Sequence, residues 1–223
     1  MAKKIILFAL FSIAFLLSCS SVKVLNSWKA DNNRVDEFKK KKVLVIARTA
    51  DDDARMAFEI ELADQLRSQG VDATESYIKA PKIHPNKEIT KERVEFMREI
   101  MGYEGFDAVV ITVIRNKEQT TSTVQNGVYF GSTYSNYYPD HYGNFYTYYS
   151  YPYASYYDSF GGFIPTSTST RTSSNYVLET IAYNLEEAEG DQIVAVITTK
   201  LENPKEAYKA AEKYIAEIVK SFE

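Results

Sequence analysis

The stretch Phe106–Ile114, Phe-Asp-Ala-Val-Val-Ile-Thr-Val-Ile, carries the strongest strand pattern in the chain. It is apolar at nearly every position, so neither face of the strand is suited to water. Such runs are typical of strands covered on both faces of a sheet. A shorter run of the same kind spans Lys42–Ala47. We therefore expect Phe106–Ile114 to be central in a sheet, with Lys42–Ala47 as a second covered strand.

The segment after Lys42–Ala47 has the pattern of a helix followed by a strand. Asp51-Asp52-Asp53 provides three carboxylates for a first turn, and Gly70 suits the residue just beyond a helix end. Between them apolar residues recur every four positions, at Phe58, Leu62 and Leu66. Val71–Tyr77 then predicts another strand.

A second helix is predicted just before Phe106–Ile114. Thr90 can cap it, and Ile89 can pack against Val94 as a hydrophobic staple. Val94, Met97 and Met101 form its apolar stripe.

The carboxyl-terminal part predicts a strand hairpin and a final helix. Tyr176–Leu185 and Gln192–Leu201 are strand-like and are separated by a short acidic turn, which favours antiparallel pairing. Asn203 suits an N-cap, Pro204 the first helical position and Glu206 the third. The apolar face of this helix comprises Ala207, Ala211, Tyr214, Ile218 and Phe222.

The element order is thus β-α-β-α-β, an insertion, then β-β-α. Helical crossovers make the first three strands parallel and the hairpin adds antiparallel ones. We predict a single α/β domain over residues 42–223, with a mixed five-stranded sheet and helices packed on it. A chain of 223 residues suits one such domain with additional segments.

The amino terminus has the pattern of a secretory signal. Lys3 and Lys4 precede the apolar run Ile5–Leu17. That run is shorter than the ~20 residues needed to span a bilayer as a helix, so residues 1–18 are interpreted as a signal peptide.

Leu16-Leu17-Ser18-Cys19 resembles the lipobox of bacterial lipoproteins. The resemblance implies that Cys19 receives a diacylglyceryl group, that cleavage falls before it, and that its new amino group is acylated. Ser20 is not the aspartate that retains such proteins at the inner membrane. The implied location is the periplasmic side of the outer membrane, with surface exposure left open. A secretory peptide with a chance cysteine is the alternative. Residues 19–41 are expected to form a tether, ending in a short strand around Val22–Trp28.

Residues 116–175 form an insertion of biased composition. It holds 12 of the 18 tyrosines and few charged side chains. Tyrosine combines a flat apolar face with a hydroxyl, which suits protein interfaces and stacking on sugar rings. The predicted partner-binding surface comprises Tyr129, Tyr134, Tyr137, Tyr138, Tyr142, Tyr146, Tyr148, Tyr149, Tyr151, Tyr153, Tyr156 and Tyr157. The alternative is a flexible or self-packed hairpin that binds no ligand.

A lipidated cysteine before this body resembles the envelope lipoproteins whose domain is similar to the amino-terminal domain of TolB, a group that includes the penicillin-binding-protein activator lipoproteins. The resemblance covers roughly residues 22–115 and 175–222. It is carried by Ser27-Trp28-Lys29, Lys42–Ile46, Gly70-Val71, Phe106–Val110 and Asn203-Pro204. It implies binding to other envelope proteins and does not choose the partner.

The sequence offers little chemistry for catalysis or metal binding. The Asp51-Asp52-Asp53 run is interpreted as a charged helix start rather than a Mg²⁺ site. His84 and His141 are the only histidines and lie in separate loops, and Cys19 is the only cysteine. We therefore predict no metal and no cofactor. A net charge of −4 provides no basic field for nucleic acid.

Three functions remain. The first is a non-enzymatic, membrane-anchored lipoprotein that binds or scaffolds an envelope protein complex. The second is a periplasmic module that binds a cell-wall glycan or lipid through the tyrosine-rich insertion. The third and weakest is a hydrolase acting through His141.

Overall fold

The fold is built on a six-stranded mixed sheet with the strand order β1-β8-β7-β4-β2-β3. The computed structural model describes residues 22–80, 82, 89–122, 128–129, 145–150, 163–164 and 171–221. The strands of the sheet are β1 (Val22–Lys29), β2 (Lys42–Arg48), β3 (Asp72–Glu75), β4 (Ala108–Ser122), β7 (Arg171–Asn184) and β8 (Ile193–Glu202). A separate pair consists of β5 (Val128–Tyr129) and β6 (Phe163–Ile164).

Strand pairing confirms the predicted α/β class. Strand β2 runs parallel to both β3 and β4, while β4–β7, β7–β8 and β8–β1 are antiparallel. Strand β4, which begins in the Phe106–Ile114 run, lies between β2 and β7 as expected for its apolar pattern. The sheet has one strand more than the predicted five, because β1 joins it at the edge beside β8.

Helices cover both faces of this sheet. They are α1 (Asn32–Phe38), α2 (Asp52–Ser68), α3 (Ser76–Lys79), α4 (Lys91–Glu104), α5 (Phe145–Ser150) and α6 (Ala207–Lys220). Side chains of α1, α2 and α6 pack with Val43, Val45 and Val110 on one face. Those of α4 and α5 pack with Leu44, Ile46 and Ile111 on the other. Alternation along β2 and β4 divides the core into these two layers.

The ends of α2 and α4 follow the sequence pattern. Asp51 caps α2 by accepting a hydrogen bond from the Ala54 amide at 3.0 Å. Gly70 has a φ of 83°, the left-handed conformation that ends many helices. Thr90 caps α4, where Met97 and Met101 are buried. The charged helix start at Asp51 and the N-cap at Thr90 are confirmed.

The short strand expected around Val22–Trp28 is present as β1, and the chain from Val22 onward belongs to the sheet and core rather than to a tether. Strand β1 pairs with β8 over Val22–Lys29, and Val22 and Phe38 are buried in the core. Asp31 caps α1 by accepting from the Arg34 amide at 3.1 Å. The irregular pairing between Val24 and Asn26 breaks the alternation of apolar and polar residues, so the strand pattern in the sequence is weak.

The predicted start of the last helix is wrong by several residues. Asn203 has a φ of 43°, a left-handed conformation that asparagine tolerates, and its amide donates to the Ser174 carbonyl at 2.9 Å. It therefore terminates β8 rather than capping a helix. Helix α6 begins at Ala207, and Glu206 at its N-cap position makes no capping hydrogen bond with its side chain.

Two further boundaries differ from expectation. The strand predicted over Val71–Tyr77 is limited to Asp72–Glu75, because α3 begins at Ser76. Strands β4 and β7 continue as a paired ribbon to Ser122 and Arg171. The β4–β7 pair thus extends into both ends of the predicted 116–175 insertion.

Candidate functional site

A cavity lies at the carboxyl end of β2, beside residues 112–114 of β4 and between the first turns of α2 and α6. Its volume is about 210 Å³. The connection from β2 to β3 runs through α2 on one face, and the next runs through α4 on the other. Ligands in open α/β sheets bind at this kind of switch point, outside the carboxyl ends of the strands. We call it the carboxyl-edge cavity.

The walls of the carboxyl-edge cavity are mainly apolar, with polar groups near its rim. Apolar lining comes from Phe58, Val113, Ile114, Leu178 and Leu201. The polar or charged lining residues are Arg48, Thr49, Asp51, Thr112, Lys205 and Glu206. Asp51 is occupied as the α2 cap, and Glu206 pairs with Lys209 at 2.9 Å. This composition suits an amphiphilic ligand with an apolar body better than a highly polar one.

Glu59 is a buried acidic residue of α2. Its carboxylate accepts hydrogen bonds from the amides of Ala47 at 2.9 Å and Tyr77 at 2.7 Å, and from Ser76 Oγ at 2.7 Å. Arg55 Nε donates to it at 3.1 Å. Burial raises the pKa of Glu59, and these donors oppose that rise. Because its partners come from α2, β2 and α3, Glu59 holds these elements together.

Arg55 completes the same cluster. Its Nη2 donates to Ser76 Oγ and to the Ala80 carbonyl, both at 3.0 Å. The spacing of Arg55 and Glu59, four residues apart on one helix, was the available sequence signal. Sequence reasoning missed it because such pairs are ordinarily exposed. All of these hydrogen bonds join α2 to neighbouring elements. The cluster therefore stabilises the helix and strand that form part of the cavity wall.

Hydroxyl groups from three elements meet in the layer that contains α6. Thr180 Oγ1 lies 2.7 Å from Thr112 Oγ1 and 2.6 Å from the Tyr214 hydroxyl. Tyr214 is fully buried, and burial raises its pKa to about 12. The contacts fix α6 against β4 and β7, close to the carboxyl-edge cavity that Thr112 lines.

The described part of the tyrosine-rich insertion includes α5, which packs on the sheet. Phe145 and Tyr149 have no exposed surface. The Phe145 ring centroid lies 5.8 Å from that of Tyr183 and 5.5 Å from that of Tyr149. These are ordinary separations for stabilising aromatic pairs. Helix α5 is therefore part of the core layer that also contains α4.

Polar contacts hold α5 at both ends. Arg48 Nη1 donates to the Tyr149 carbonyl at 2.8 Å, and the Phe145 amide donates to Gln192 Oε1 at 3.3 Å. The Arg98 guanidinium lies 4.5 Å from the centre of the Tyr146 ring. Arg48 ends β2 and also lines the carboxyl-edge cavity, so it connects the insertion to the cavity.

The predicted tyrosine surface is only partly covered by the described residues. Tyr149 is wrong as a surface residue, because it is buried in the core. Tyr146 is half-buried against Phe145 and Arg98. The backbones of Tyr129 and Tyr148 lie in β5 and α5. Outside the described residues lie Cys19, His84, His141, Tyr134, Tyr137, Tyr138, Tyr142, Tyr151, Tyr153, Tyr156 and Tyr157.

A second, larger cavity lies between the sheet and the helices α1, α2 and α6. Its volume is about 320 Å³. Its walls are apolar and include Phe38, Leu62, Val194, Ala195 and Ile215. Its polar lining is limited to Lys29, Lys39, Gln65, Gln69 and Thr180. We call it the helix-layer cavity.

Large apolar side chains are exposed on α3 and α4. Tyr103 is 91% exposed, Ile78 59% and Phe96 41%. Phe96 and Tyr103 are seven residues apart and so share one side of α4. An ion pair of 3.0 Å between Lys79 and Glu104 brings α3 against the end of α4. We call Ile78, Phe96 and Tyr103 the α3–α4 apolar surface.

The described residues contain neither a metal-binding cluster nor a membrane-spanning helix. They contain no group of three or more His, Cys, Asp or Glu side chains arranged to hold a metal ion. Within the same residues, none of the helices has the length and apolar character required to cross a membrane.

No family model matches the chain, and no curated protein does. Among solved structures, the chain is similar to the PelC dodecamer from Paraburkholderia phytofirmans and to a single-substitution variant of it. Both are 12% identical to this chain, and each match covers 89% of this chain and 94% of that one. The TM-scores are 0.38 and 0.39, too low to assign a shared function.

Proposed function

We propose that this protein is a non-enzymatic lipoprotein of the bacterial cell envelope that binds a partner protein there. Cys19 carries the lipid and holds the domain on the periplasmic side of the outer membrane. The lipobox-like sequence before Cys19 supports the anchor. The first described strand begins at Val22, three residues after Cys19, so the domain would be held close to the membrane.

The α3–α4 apolar surface is the observation that supports a partner protein. Ile78 on α3 and Phe96 and Tyr103 on α4 expose large apolar side chains, and α4 packs in the layer opposite α6. Moving each such side chain from water into a buried interface is favourable by about 1.5–3 kcal/mol. Aromatic residues in this setting are typical of protein interfaces.

The anchor is tested by Cys19→Ser. We expect the variant to lose metabolic labelling with a fatty acid and to leave the membrane fraction. The matched control is Ser20→Ala, which keeps the thiol and should stay labelled and membrane-bound. Continued labelling of Cys19→Ser would refute lipid attachment.

The partner surface is tested by photo-crosslinking in intact cells. A photoreactive amino acid at Tyr103 should give a discrete crosslinked product that disappears when Phe96→Ser is added. The same amino acid at Glu212, exposed on α6 in the other layer, is the control. Equal products from both positions, or none from Tyr103, would contradict the proposed surface.

The second candidate is a ligand-binding module, and the two cavities favour it. Their walls are mainly apolar, which suits a lipid chain better than a glycan. Lipid extracted from the purified protein should fall with Ala195→Leu, which reduces the helix-layer cavity. Ala216→Leu, on the exposed side of α6, is the control. Equal lipid content in both variants would contradict binding in that cavity.

A further inference from the structure

The start of β1 lies next to the carboxyl-edge cavity. Val22, the first residue of β1, pairs with Leu201, which is one of the residues that line this cavity. The pairing is antiparallel, so β1 begins at the end of the sheet where β8 leads through Pro204 into α6. Pro204 and Ala207 line the same cavity. The strand that follows Cys19 therefore begins close to the cavity rim.

The distance from Cys19 to the cavity is limited by the chain. Three residue steps connect Cys19 to Val22, so their Cα atoms are at most about 11 Å apart. The Cα atoms of an antiparallel pair such as Val22 and Leu201 are about 5 Å apart. An acyl chain that crosses half of a ~30 Å hydrocarbon core is about 15 Å long. Such a chain is thus long enough to reach the cavity from Cys19.

The β4–β7 pair extends past the start of β1. Tyr176 of β7 lies level with Val22, because both pair with Leu201. From Tyr176 the pairing of β7 with β4 continues as far as Arg171, about 17 Å farther along the strands. Cys19, at most about 11 Å from Val22, cannot lie beyond the end of this pair in the strand direction. An acyl chain on Cys19 therefore begins beside the protein rather than at its tip.

The interior of the carboxyl-edge cavity suits one apolar chain. Phe58, Leu178 and Leu201 line it, and its polar lining residues Asp51 and Thr112 already make hydrogen bonds within the fold. An apolar cavity of about 150 Å³ accommodates benzene. The volume of about 210 Å³ therefore has room for roughly eight carbons of a single acyl chain.

We propose that the amide-linked acyl chain of Cys19 lies in the carboxyl-edge cavity of the same molecule. The inference rests on the proposed lipid attachment at Cys19. The amide-linked chain begins on the backbone itself, whereas the other two chains share a glyceryl group on the sulfur. Those two chains stay available for the bilayer, and two lipid chains suffice for stable anchoring. The cavity then fixes the domain against its own anchor.

The helix-layer cavity is larger but lies farther from the anchor. Lys29, the last residue of β1, lines it. Lys29 is seven residues beyond Val22 in the direction away from Cys19, about 23 Å farther along the strand. The position of a chain attached to Cys19 therefore distinguishes the two cavities.

The test places a photoreactive acyl chain on Cys19 in the absence of membranes. The mature chain from Cys19 keeps every described residue, and Cys19 is its only cysteine. A hexadecanoyl thioester with a diazirine near the chain end transfers its acyl group to the Cys19 thiol and then, by an S-to-N shift, to the amino group of the same residue. The monomeric product is irradiated, and crosslinked residues are identified by mass spectrometry.

We expect crosslinks within one molecule, to α2 near Phe58 and to β7 or β8 near Leu178 and Leu201. Crosslinks at residues of the helix-layer cavity, such as Leu62 or Ile215, would overturn the proposal. Crosslinks that form only between molecules would overturn it as well.

Narrowing the cavity supplies a second measurement. Hexadecanoyl attachment should raise the thermal unfolding midpoint by about 4 °C or more relative to acetyl attachment, because the chain gains its contacts only in the folded state. Ala54 lines the cavity, so Ala54→Leu should remove most of this rise. If Ala54→Leu does not fold, Ala207→Leu, at another lining position, takes its place. Ala216→Leu, on the exposed side of α6, is the matched control and should keep the full rise. An equal rise in the cavity variant and the control would overturn the proposal.

The acylated protein separates this result from the proposed function. Failure of the proposed anchor is observed in cells, as continued fatty-acid labelling of Cys19→Ser. Failure of the present inference is observed in the purified protein, as crosslinks outside the carboxyl-edge cavity. Labelling that depends on Cys19, together with such crosslinks, would leave the anchor in place and refute only the position of its acyl chain.

Discussion

Arg48 donates a hydrogen bond of 2.8 Å from Nη1 to the backbone carbonyl of Tyr149, although 101 residues separate them in the chain. Arg48 is the last residue of β2, and Tyr149 lies in α5 within the tyrosine-rich insertion. Both side chains are buried. The contact makes this part of the insertion a component of the domain rather than an appendage.

Arg48→Ala should therefore destabilise the whole domain. A charged donor to a buried carbonyl contributes about 1.5–3 kcal/mol, and its loss leaves that carbonyl without this partner. We expect a fall of that size in the free energy of unfolding, measured by urea titration. Arg98→Ala, which removes an exposed guanidinium from the Tyr146 ring, is the control and should change stability by less than about 1 kcal/mol. If Arg48→Ala lowers the free energy of unfolding no more than the control Arg98→Ala does, the Arg48 contact is unimportant for stability.

Phe145→Ala tests whether α5 folds together with the sheet. Phe145 is fully buried against Tyr149 and Tyr183, so its truncation should cost about 3–5 kcal/mol and leave a single unfolding transition. Tyr146→Ala, at a half-buried position, should cost less. A Phe145→Ala variant whose denaturation midpoint matches the wild type would mean that α5 detaches without affecting the core.

The strands that the sequence predicts well are those whose pattern depends on one local property. Phe106–Ile114 is apolar on both faces, and only a central strand satisfies that pattern. The sequence predicts a short strand around Val22–Trp28 but not its place in the sheet, because its pairing shifts between Val24 and Asn26 and its other residues are largely polar. Its place in the sheet depends on β8, almost 170 residues later, which a local pattern cannot report.

Parts of the candidate site were beyond sequence reasoning for the same physical reason. The position of the carboxyl-edge cavity follows from the strand order, but the residues that line it could not be predicted. Tyr149 has the sequence setting of a surface residue among many tyrosines. It is buried because it contacts Arg48 and Phe145, and Phe145 packs against Tyr183 of a distant strand. Asn203 had the usual N-cap setting before Pro204, but its contact with Ser174 fixes a left-handed conformation.

Glu59 should produce a measurable pH dependence of stability. Burial raises the pKa of Glu59 in the folded protein above its ordinary value of 4.5. The folded protein therefore binds the Glu59 proton more tightly than the unfolded chain does. The resulting contribution to stability is complete below pH 4.5 and is lost as pH rises through the folded-state pKa. As pH falls, the free energy of unfolding of the wild type should rise relative to that of Glu59→Gln.

The control for that experiment is Glu61→Gln, a more exposed carboxyl on the same helix. It should give a smaller pH-dependent difference. Arg55→Ala should destabilise the domain by about 3–5 kcal/mol at neutral pH, because it leaves Glu59 buried without its cation. A pH-independent difference for Glu59→Gln would contradict the raised pKa.

Tyr214 should make stability fall at alkaline pH. Burial raises its pKa to about 12 from an ordinary value of 10.0. The stabilising contribution is complete below pH 10 and is lost as pH rises towards 12, because the unfolded chain ionises first. Tyr214→Phe should remove this dependence and cost about 1 kcal/mol at neutral pH through loss of the Thr180 contact. An alkaline stability profile that Tyr214→Phe leaves unchanged would contradict the raised pKa of Tyr214.

Val22→Ala tests whether Val22, the first residue of β1, is part of the folded core. Val22 is 4% exposed and packs in the layer formed by α1, α2 and α6. Its truncation should lower the free energy of unfolding by about 1–3 kcal/mol, as expected for a buried aliphatic side chain. Lys23→Ala, at the exposed neighbouring position, should change it by less than about 0.5 kcal/mol. If both substitutions are neutral in urea titration, residues 22–29 behave as a tether.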